Sequence, residues 1–310
     1  MLVFHDISEI ALTAPSSVVA IGNFDGVHLG HQALVLRCVR TAQEKKCPSV
    51  AMTFAPHPAE VLRPGTVIRQ LTTTSEKLLR LESLGVDIVL VQRFDTALSQ
   101  LSPTEFFHQF LECGLRASRI HVGRDFRFGH ERAGDLGTLT QLCNDAHMEI
   151  ETLSEVSFRG QHISSTTIRS CIGNGDLLGA NALLGAPYFF SGTVLPGDGR
   201  GRQLGFPTVN LSIAPNKILP PNGVYVSRVV WKGVTHRAVV NIGVRPTFGQ
   251  KNGPTIEAHL LDFKEDLYGE HIRIELFERI REERKFASAG DLVDQIRKDV
   301  AATAQSSSLD

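Results

Sequence analysis

Ile21-Gly22-Asn23-Phe24-Asp25-Gly26-Val27-His28-Leu29-Gly30-His31 joins two patterns of different period. Before it, Val18-Val19-Ala20-Ile21 is a short apolar run of the length of a buried strand. After it, Leu34, Val35, Cys38, Val39 and Ala42 recur at helical spacing. The glycines and histidines therefore sit on a strand-to-helix turn. The first free N–H groups of such a helix, at the positive end of its dipole, suit an anion. Gly22, Gly26 and Gly30 let the backbone approach a phosphate closely. His28 and His31 are three apart, so they share a face if the helix begins near His28. Two imidazoles there can donate hydrogen bonds to charge growing on phosphate oxygens. The spacing is neither G-x-G-x-x-G nor a P-loop. Zinc held by His-x-x-His is a rival reading, but no Cys or further His stands nearby at the usual ligand spacing. Histidines that merely pack are the other rival. Phosphate binding explains the glycines and histidines together.

The decapeptide Gly-Asn-Phe-Asp-Gly-Val-His-x-Gly-His resembles the nucleotidyltransferase signature, in the long form of bacterial bifunctional FAD synthetases (riboflavin kinase/FMN adenylyltransferase). The resemblance implies that His28 and His31 are catalytic, and that Gly22, Asn23, Phe24, Asp25 and Gly30 bind ATP.

The rest of the first half alternates strands with capped helices. Strands are expected at 49–54, 87–91, 120–123 and near 148–153. Thr73-x-x-Glu76 and Ser102-Pro103-Thr104-Glu105 read as capping boxes, with helices closed at Gly85 and Gly114. That alternation predicts a mostly parallel, Rossmann-like α/β sheet with ligands beyond the carboxyl ends of its strands. Ala55-Pro56-His57-Pro58 stops the second strand; the family carries a similar segment beside its nucleotide site, which places His57 on the flavin side. Val122-Gly123-Arg124-Asp125-Phe126-Arg127-Phe128-Gly129 leaves the fourth strand, at the same sheet edge as the histidines. From the residues alone its aromatics read as core. The likeness to the family's Val-Gly-x-Asp-Phe-x-Phe-Gly loop assigns Asp125, Phe126 and Phe128 to the flavin. His130 to Ala133 departs from the commoner glycine- and arginine-rich version. Hydroxyls at a helix start with an arginine on its first turns form a second phosphate cradle at 163–169. Ser-Ser-Thr-x-x-Arg is similar to the superfamily's second signature, which places Ser164, Ser165, Thr166 and Arg169 on the ATP triphosphate.

After Ala186-Pro187 the sequence changes character. Short β-rich runs at 189–194, 224–231, 238–242, 256–261 and 272–277, separated by Gly, Pro and Asn turns, predict a small antiparallel barrel. The expected domains are 1–186 and 187–310. In Gly197 to Asn210, glycines and arginines precede a strand, an arrangement that can wrap a polyphosphate. Thr208 and Asn210 share one side of that strand, and such hard oxygens suit Mg²⁺. A glycine-rich hairpin with a polar face is the alternative. The likeness to the flavin-kinase motif Gly-Phe-Pro-Thr-Ala-Asn gives Gly199, Arg200, Gly201, Arg202, Gly205, Phe206 and Pro207 to ATP, and Thr208 and Asn210 to the metal. Val209 replaces the commoner Ala and points away from the metal. Asn241 to Phe248 and Thr255 to Phe263 also resemble the kinase module, with Glu257 implied as catalytic base. Asp266 to Gly269 and Arg281 to Phe286 match it as flavin-side loop and helix entry, and a terminal helix is expected at 288–302.

Composition sets bounds. The 310 residues suffice for two cores, and 42% hydrophobic with 21% charged residues is an ordinary globular balance. A net charge of −1 supplies no basic field, which argues against nucleic acid as a partner. Five cysteines without a C-x-x-C read as reduced thiols, and no apolar run approaches membrane-spanning length. The expectation is a cytoplasmic enzyme, monomeric or weakly self-associating, with riboflavin, FMN and ATP as substrates and Mg²⁺ as cofactor. A kinase whose adenylyltransferase is tuned to another substrate or idle, or a flavin- or nucleotide-sensing binding protein, are the competing readings. The tail from Ala301 to Asp310 is expected to fray.

Overall fold

Alternation along the run at 17–21 puts Val18 and Ala20 in one apolar cluster and Val19 and Ile21 in another. A strand buried on both faces suits a parallel sheet covered by helices on either side. The computed structural model describes residues 1–63, 65–154, 156–158, 160–197, 199–244 and 254–309 and divides into two compact units. The first, Met1–Ser165, has that arrangement. Its strands β1 (Leu2–Phe4), β2 (Ser17–Ile21), β3 (Ser49–Ala55), β4 (Ile88–Arg93), β5 (Ala117–Gly123) and β6 (Glu149–Leu153) lie in the order β1-β4-β3-β2-β5-β6. Every neighbouring pair is parallel.

The connections carry α1 (Leu29–Lys45), α2 (Pro58–Leu62), α3 (Thr74–Ser83), α4 (Thr96–Gln100), α5 (Pro103–Phe106) and α6 (Leu136–Asp145). On one face α1 and α3 bury Leu34, Val35, Cys38, Val39 and Leu81. On the other, α5, the segment after it and α6 bury Phe106, Phe107, Phe110, Leu111 and Leu139. Both expected capping boxes are formed. The second helix is not uniform: Phe107–Gly114 is π-helical, and Leu115 N–H reaches back to the Phe110 carbonyl at 2.8 Å. Strand order reverses at β2, which has β3 on one side and β5 on the other. The two motif loops leave β2 and β5, so both emerge at the switch point where open α/β sheets bind ligands. A small hairpin, β7 (Ser157–Phe158) and β8 (Gln161–His162), precedes α7 (Ser165–Gly173) and α8 (Leu177–Leu184).

The second unit, Thr166–Asp310, is built on a closed antiparallel barrel. Its strands are β9 (Tyr188–Leu195), β10 (Val209–Ser212), β11 (Gly223–Trp231), β12 (Val234–Val244), β13 (Pro254–Leu260) and β14 (His271–Arg281), in the order β10-β13-β12-β11-β14-β9. Period-two burial is plain in β13: Ile256, Ala258 and Leu260 face the interior, while Thr255, Glu257 and His259 are partly exposed. The Asn181 side chain ties α8 to the barrel, donating to the Leu276 carbonyl at 3.0 Å and accepting from Tyr188 N–H at 2.7 Å. A short helix, α9 (Arg200–Gln203), stands within the glycine- and arginine-rich stretch before β10. The terminal helix α10 (Ala289–Gln305) is capped by Ser288. The frayed tail is a correction. The helix runs past residue 301, and Leu309, 6% exposed, packs with Val226 and Phe277 while Arg228 donates to its carbonyl. A buried leucine there outweighs the polar composition around it. Arg245, Pro246, Thr247 and Phe248 of the kinase motif, and Asp198, lie outside the described residues.

Candidate active sites

β2 ends at Ile21 and α1 begins at Leu29 with His28 as its N-cap. His28 Nδ1 accepts from His31 N–H at 3.3 Å, so a neutral His28 carries its proton on Nε2. The His28 and His31 rings stack at 3.6 Å with planes 15° apart, and His31 meets Phe24 edge-on at 5.4 Å. Burial, then the neighbouring His28 and Lys77, holds His31 well below the usual imidazole range. Its Nδ1 is buried without a hydrogen-bond partner among the described residues. Gly30 leaves room for the stack, since a Cβ there would stand 3.2 Å from His28 Cε1 and crowd the ring.

The loop before His28 bends sharply: Phe24 and Val27 have φ of +48° and +42°, a region that L side chains avoid. Several bonds fix it. The buried Asp25 carboxylate accepts from Leu71 N–H at 2.9 Å and Thr72 N–H at 3.0 Å. Thr72 Oγ1 accepts from Gly26 N–H at 3.0 Å, and Gln32 donates to the Val27 carbonyl at 2.8 Å. Ser165 Oγ donates to the Asp25 carbonyl at 3.0 Å, which joins the second signature to the first. Thr166 and Arg169 follow on α7, in the second compact unit. Asp25 thus orders the turn through the backbone at 71–72. Lys77 and Thr72 take part in the same network. Lys77 had one sequence signal, a core-facing helical position four residues before Leu81.

His57 is the N-cap of α2, its Nδ1 accepting from Ala59 N–H at 3.2 Å. With Asp25, Phe54, Gln70 and Lys77 it lines an open cleft. On the loop after β5, Asp125 is exposed and Phe126 partly so. Phe128 is only 6% exposed and belongs to the core cluster, stacked on Phe126 at 5.5 Å. The segment at 130–133 is a 3-10 turn pinned by His130 N–H to the Leu101 carbonyl at 2.7 Å.

In the barrel, strand register brings Asn210, Glu257 and Asn241 into one row: Glu257 is the direct partner of Asn210 on β10 and of Asn241 on β12. Direct partners share a face of the sheet, so two carboxamides flank the carboxylate. His259, further along β13, bonds the Pro207 carbonyl at 2.8 Å and meets the Phe206 ring at 5.5 Å, which seats the 205–207 turn beside that row. Gly205 has φ of +86°. Gly201 lies against the Phe206 carbonyl and Thr208, and the Asn210 amide nitrogen lies against Gly197, where any Cβ would collide with it. The Asn210 amide oxygen therefore turns away from Gly197. The Thr208 hydroxyl and the Asn210 carbonyl are hard oxygens of the kind that suits Mg²⁺, which takes few protein ligands. Among the described residues, no group of three or more His, Cys, Asp or Glu is placed to hold a metal. Arg200 and Arg202 belong to α9, with Gly199 immediately before it. Tyr268 is exposed on the loop before β14; Arg281 makes a paired bond with Asp299, closest at 2.8 Å, at the helix entry.

These two constellations match known families separately. Residues 11–167 match the FAD synthetase family model and residues 184–307 the riboflavin kinase family model. The bifunctional riboflavin kinase/FMN adenylyltransferase of Bacillus subtilis (strain 168) is 40% identical over 286 residues, covering 91% of this chain and 90% of its own. The chain belongs to the bifunctional riboflavin kinase/FMN adenylyltransferase family. The protein of that name from Escherichia coli (strain K12) is 38% identical over 298 residues, with 95% and 93% coverage. A crystal structure described as a macrolide-efflux protein from Streptococcus pneumoniae has the same fold, with a TM-score of 0.88 at 31% identity and 99% coverage of both chains. No helix among the described residues is long and apolar enough to cross a membrane. The bifunctional family accounts for both the parallel sheet and the barrel.

Proposed function

We propose that this chain transfers the γ-phosphoryl group of ATP to riboflavin, giving FMN, and then adenylylates FMN with ATP, giving FAD and pyrophosphate. The observation that carries the reading is that the His28 loop leaves β2 at the switch point of the parallel sheet, while Glu257 stands between Asn210 and Asn241 in the barrel. Functional domains at 1–186 and 187–310 are proposed on the change of sequence character at Ala186-Pro187.

In the first reaction Glu257 accepts the proton of the riboflavin 5′-hydroxyl as that oxygen bonds to the γ-phosphorus; the bond to the β-phosphate oxygen breaks and ADP leaves. The turn at Gly199, Arg200, Gly201, Arg202, Gly205, Phe206 and Pro207 wraps the nucleotide's phosphates. Thr208 and Asn210 would hold Mg²⁺, which neutralises phosphate charge when bound. In the second reaction an FMN phosphate oxygen bonds to the α-phosphorus of ATP, and the α–β bridge breaks to release pyrophosphate. No covalent enzyme intermediate is needed; positioning and hydrogen bonds to developing charge supply the catalysis. His28 Nε2–H and His31 donate to those oxygens. Burial, with His28 and Lys77 beside it, keeps the His31 ring from taking a proton before substrate binds, and the arriving triphosphate charge raises its proton affinity. Gly22, Asn23 and Gly30 allow its close approach; Ser164, Ser165, Thr166 and Arg169 add donors. Asp125, Phe126 and His57 are assigned to the flavin. Phe128 supports Phe126 from the core. The protein acts in the cytoplasm on small molecules, as a monomer or weak homo-oligomer, without nucleic acid or membrane.

Purified protein incubated with riboflavin, Mg²⁺ and excess ATP should yield FMN, then FAD, on chromatography of the flavins. FMN that never advances, even when supplied directly with ATP, would reduce the reading to a kinase. Bound flavin with no product would point to a sensor.

A further inference from the structure

The buried ammonium of Lys77 reaches from α3 to the underside of the His28 loop. Lys77 is 9% exposed, and its Nζ donates to the Asn23 carbonyl at 2.6 Å and to Thr53 Oγ1 at 3.1 Å. Thr53 Oγ1 donates in turn to the same carbonyl at 3.0 Å. The Asn23 carbonyl is thus gripped twice, immediately before Phe24, the first of the two strained residues. The formed capping box of α3 fixes the helix start three residues earlier, through Thr73 and Glu76. The opposite side of the loop is held by Asp25 on the 71–72 backbone. A loop in sparsely populated backbone conformations persists only where its surroundings over-determine it. Lys77 supplies the cationic part of that restraint, as well as positive charge behind the stacked histidines.

We propose that Lys77 is a positioning residue of the adenylyltransferase site, whose ammonium clamps the Asn23 carbonyl and so aims His28 and His31 at the triphosphate. This rests on the adenylyltransferase reading given above. The groups that face the ammonium are Asp25 on the loop, His31 on α1 and Thr53 on β3, with His57 in the lining of the same cleft; the neighbouring Glu76 carboxylate accepts from Thr73 N–H instead. Burial lowers Lys77 to about 8, while Asp25 opposes the shift. The clamp therefore weakens as pH rises through that value. The kcat/KM profile of FMN adenylylation, which reports the free enzyme, should fall on its alkaline side for this reason.

The test compares kcat/KM against pH for FMN adenylylation in the full-length wild type, Lys77→Arg and Lys77→Met, with riboflavin phosphorylation by the same samples as the control for folding. Lys77→Met should lose at least about tenfold in adenylylation with phosphorylation unchanged, the loss of one charge-assisted restraint on a preorganised site. Lys77→Arg should retain adenylylation near pH 7 and shift its alkaline limb upward by more than about one pH unit, since guanidinium does not titrate there. Adenylylation within twofold of wild type in Lys77→Met, an equal loss of both activities, or an unmoved alkaline limb in Lys77→Arg would overturn the proposal. An NMR titration of the histidine rings reads the same contact without turnover. Removing the ammonium should raise the His31 midpoint; an unchanged midpoint would count against the placement. Wild type that makes no FAD would sink the functional reading instead, and the titration would still judge Lys77.

Discussion

His121 shows what a single buried titratable side chain does to this fold. It lies on β5, fully buried, with neither ring nitrogen hydrogen-bonded among the described residues. Glu151 stands 3.8 Å from its Nδ1, but Arg37 and Arg119 already engage that carboxylate. Burial is the largest influence and lowers its pKa from 6.5 to about 4; Glu151 opposes the shift, and the two arginines add to it. The native state therefore resists the proton that the unfolded chain accepts near 6.5. Stability from this residue is complete above that pH and is lost as pH falls toward 4. Acidifying from pH 7 to pH 5 should cost about 2 kcal/mol through His121. Denaturant unfolding at the two pH values should show this loss in wild type and a smaller one in His121→Phe. His31, also depressed, leaves a residual slope. Equal pH dependence in the two proteins would contradict the assignment.

At the scale of elements, the period-two and helical patterns made most of both units legible. The strand before His28, the capping boxes and the barrel runs follow local chemistry, so sequence reveals them. β1 escaped notice because three residues, Leu2 to Phe4, carry too little period, and only pairing with β4 makes them a strand. The π-helical segment depends on one displaced hydrogen bond, which no residue type announces. The turn-ordering role of Asp25 was hidden for a similar reason: its partners are backbone groups 46 and 47 positions away. The Asn210–Glu257–Asn241 row needed register, which the sequence does not state. That row makes Gly197 a specific test. A methyl group there collides with the Asn210 amide, so Gly197→Ala should lower riboflavin phosphorylation by roughly tenfold or more, the scale of losing a well-oriented group. FAD formation from supplied FMN should be unaffected. Steady-state assays of both reactions decide it, and unchanged phosphorylation would count against the proposed role of Asn210 at the metal.

For the whole molecule, the central claim is that two chemistries reside in separate constellations, with His28 and His31 in one unit and Glu257 in the other. Each depends on its own cluster, so each should fail alone. Removing one hydrogen-bond donor from a preorganised phosphate site costs about 10²–10³ in rate, and removing a general base about 10²–10⁴. The most direct measurement is flavin chromatography of His28→Ala and Glu257→Ala, each incubated with riboflavin, Mg²⁺ and ATP, then again with FMN in place of riboflavin. His28→Ala should accumulate FMN and make no FAD from either substrate. Glu257→Ala should leave riboflavin unchanged, yet convert supplied FMN to FAD at the wild-type rate. A single substitution that stops both reactions, or neither variant blocking its assigned step, would contradict the account.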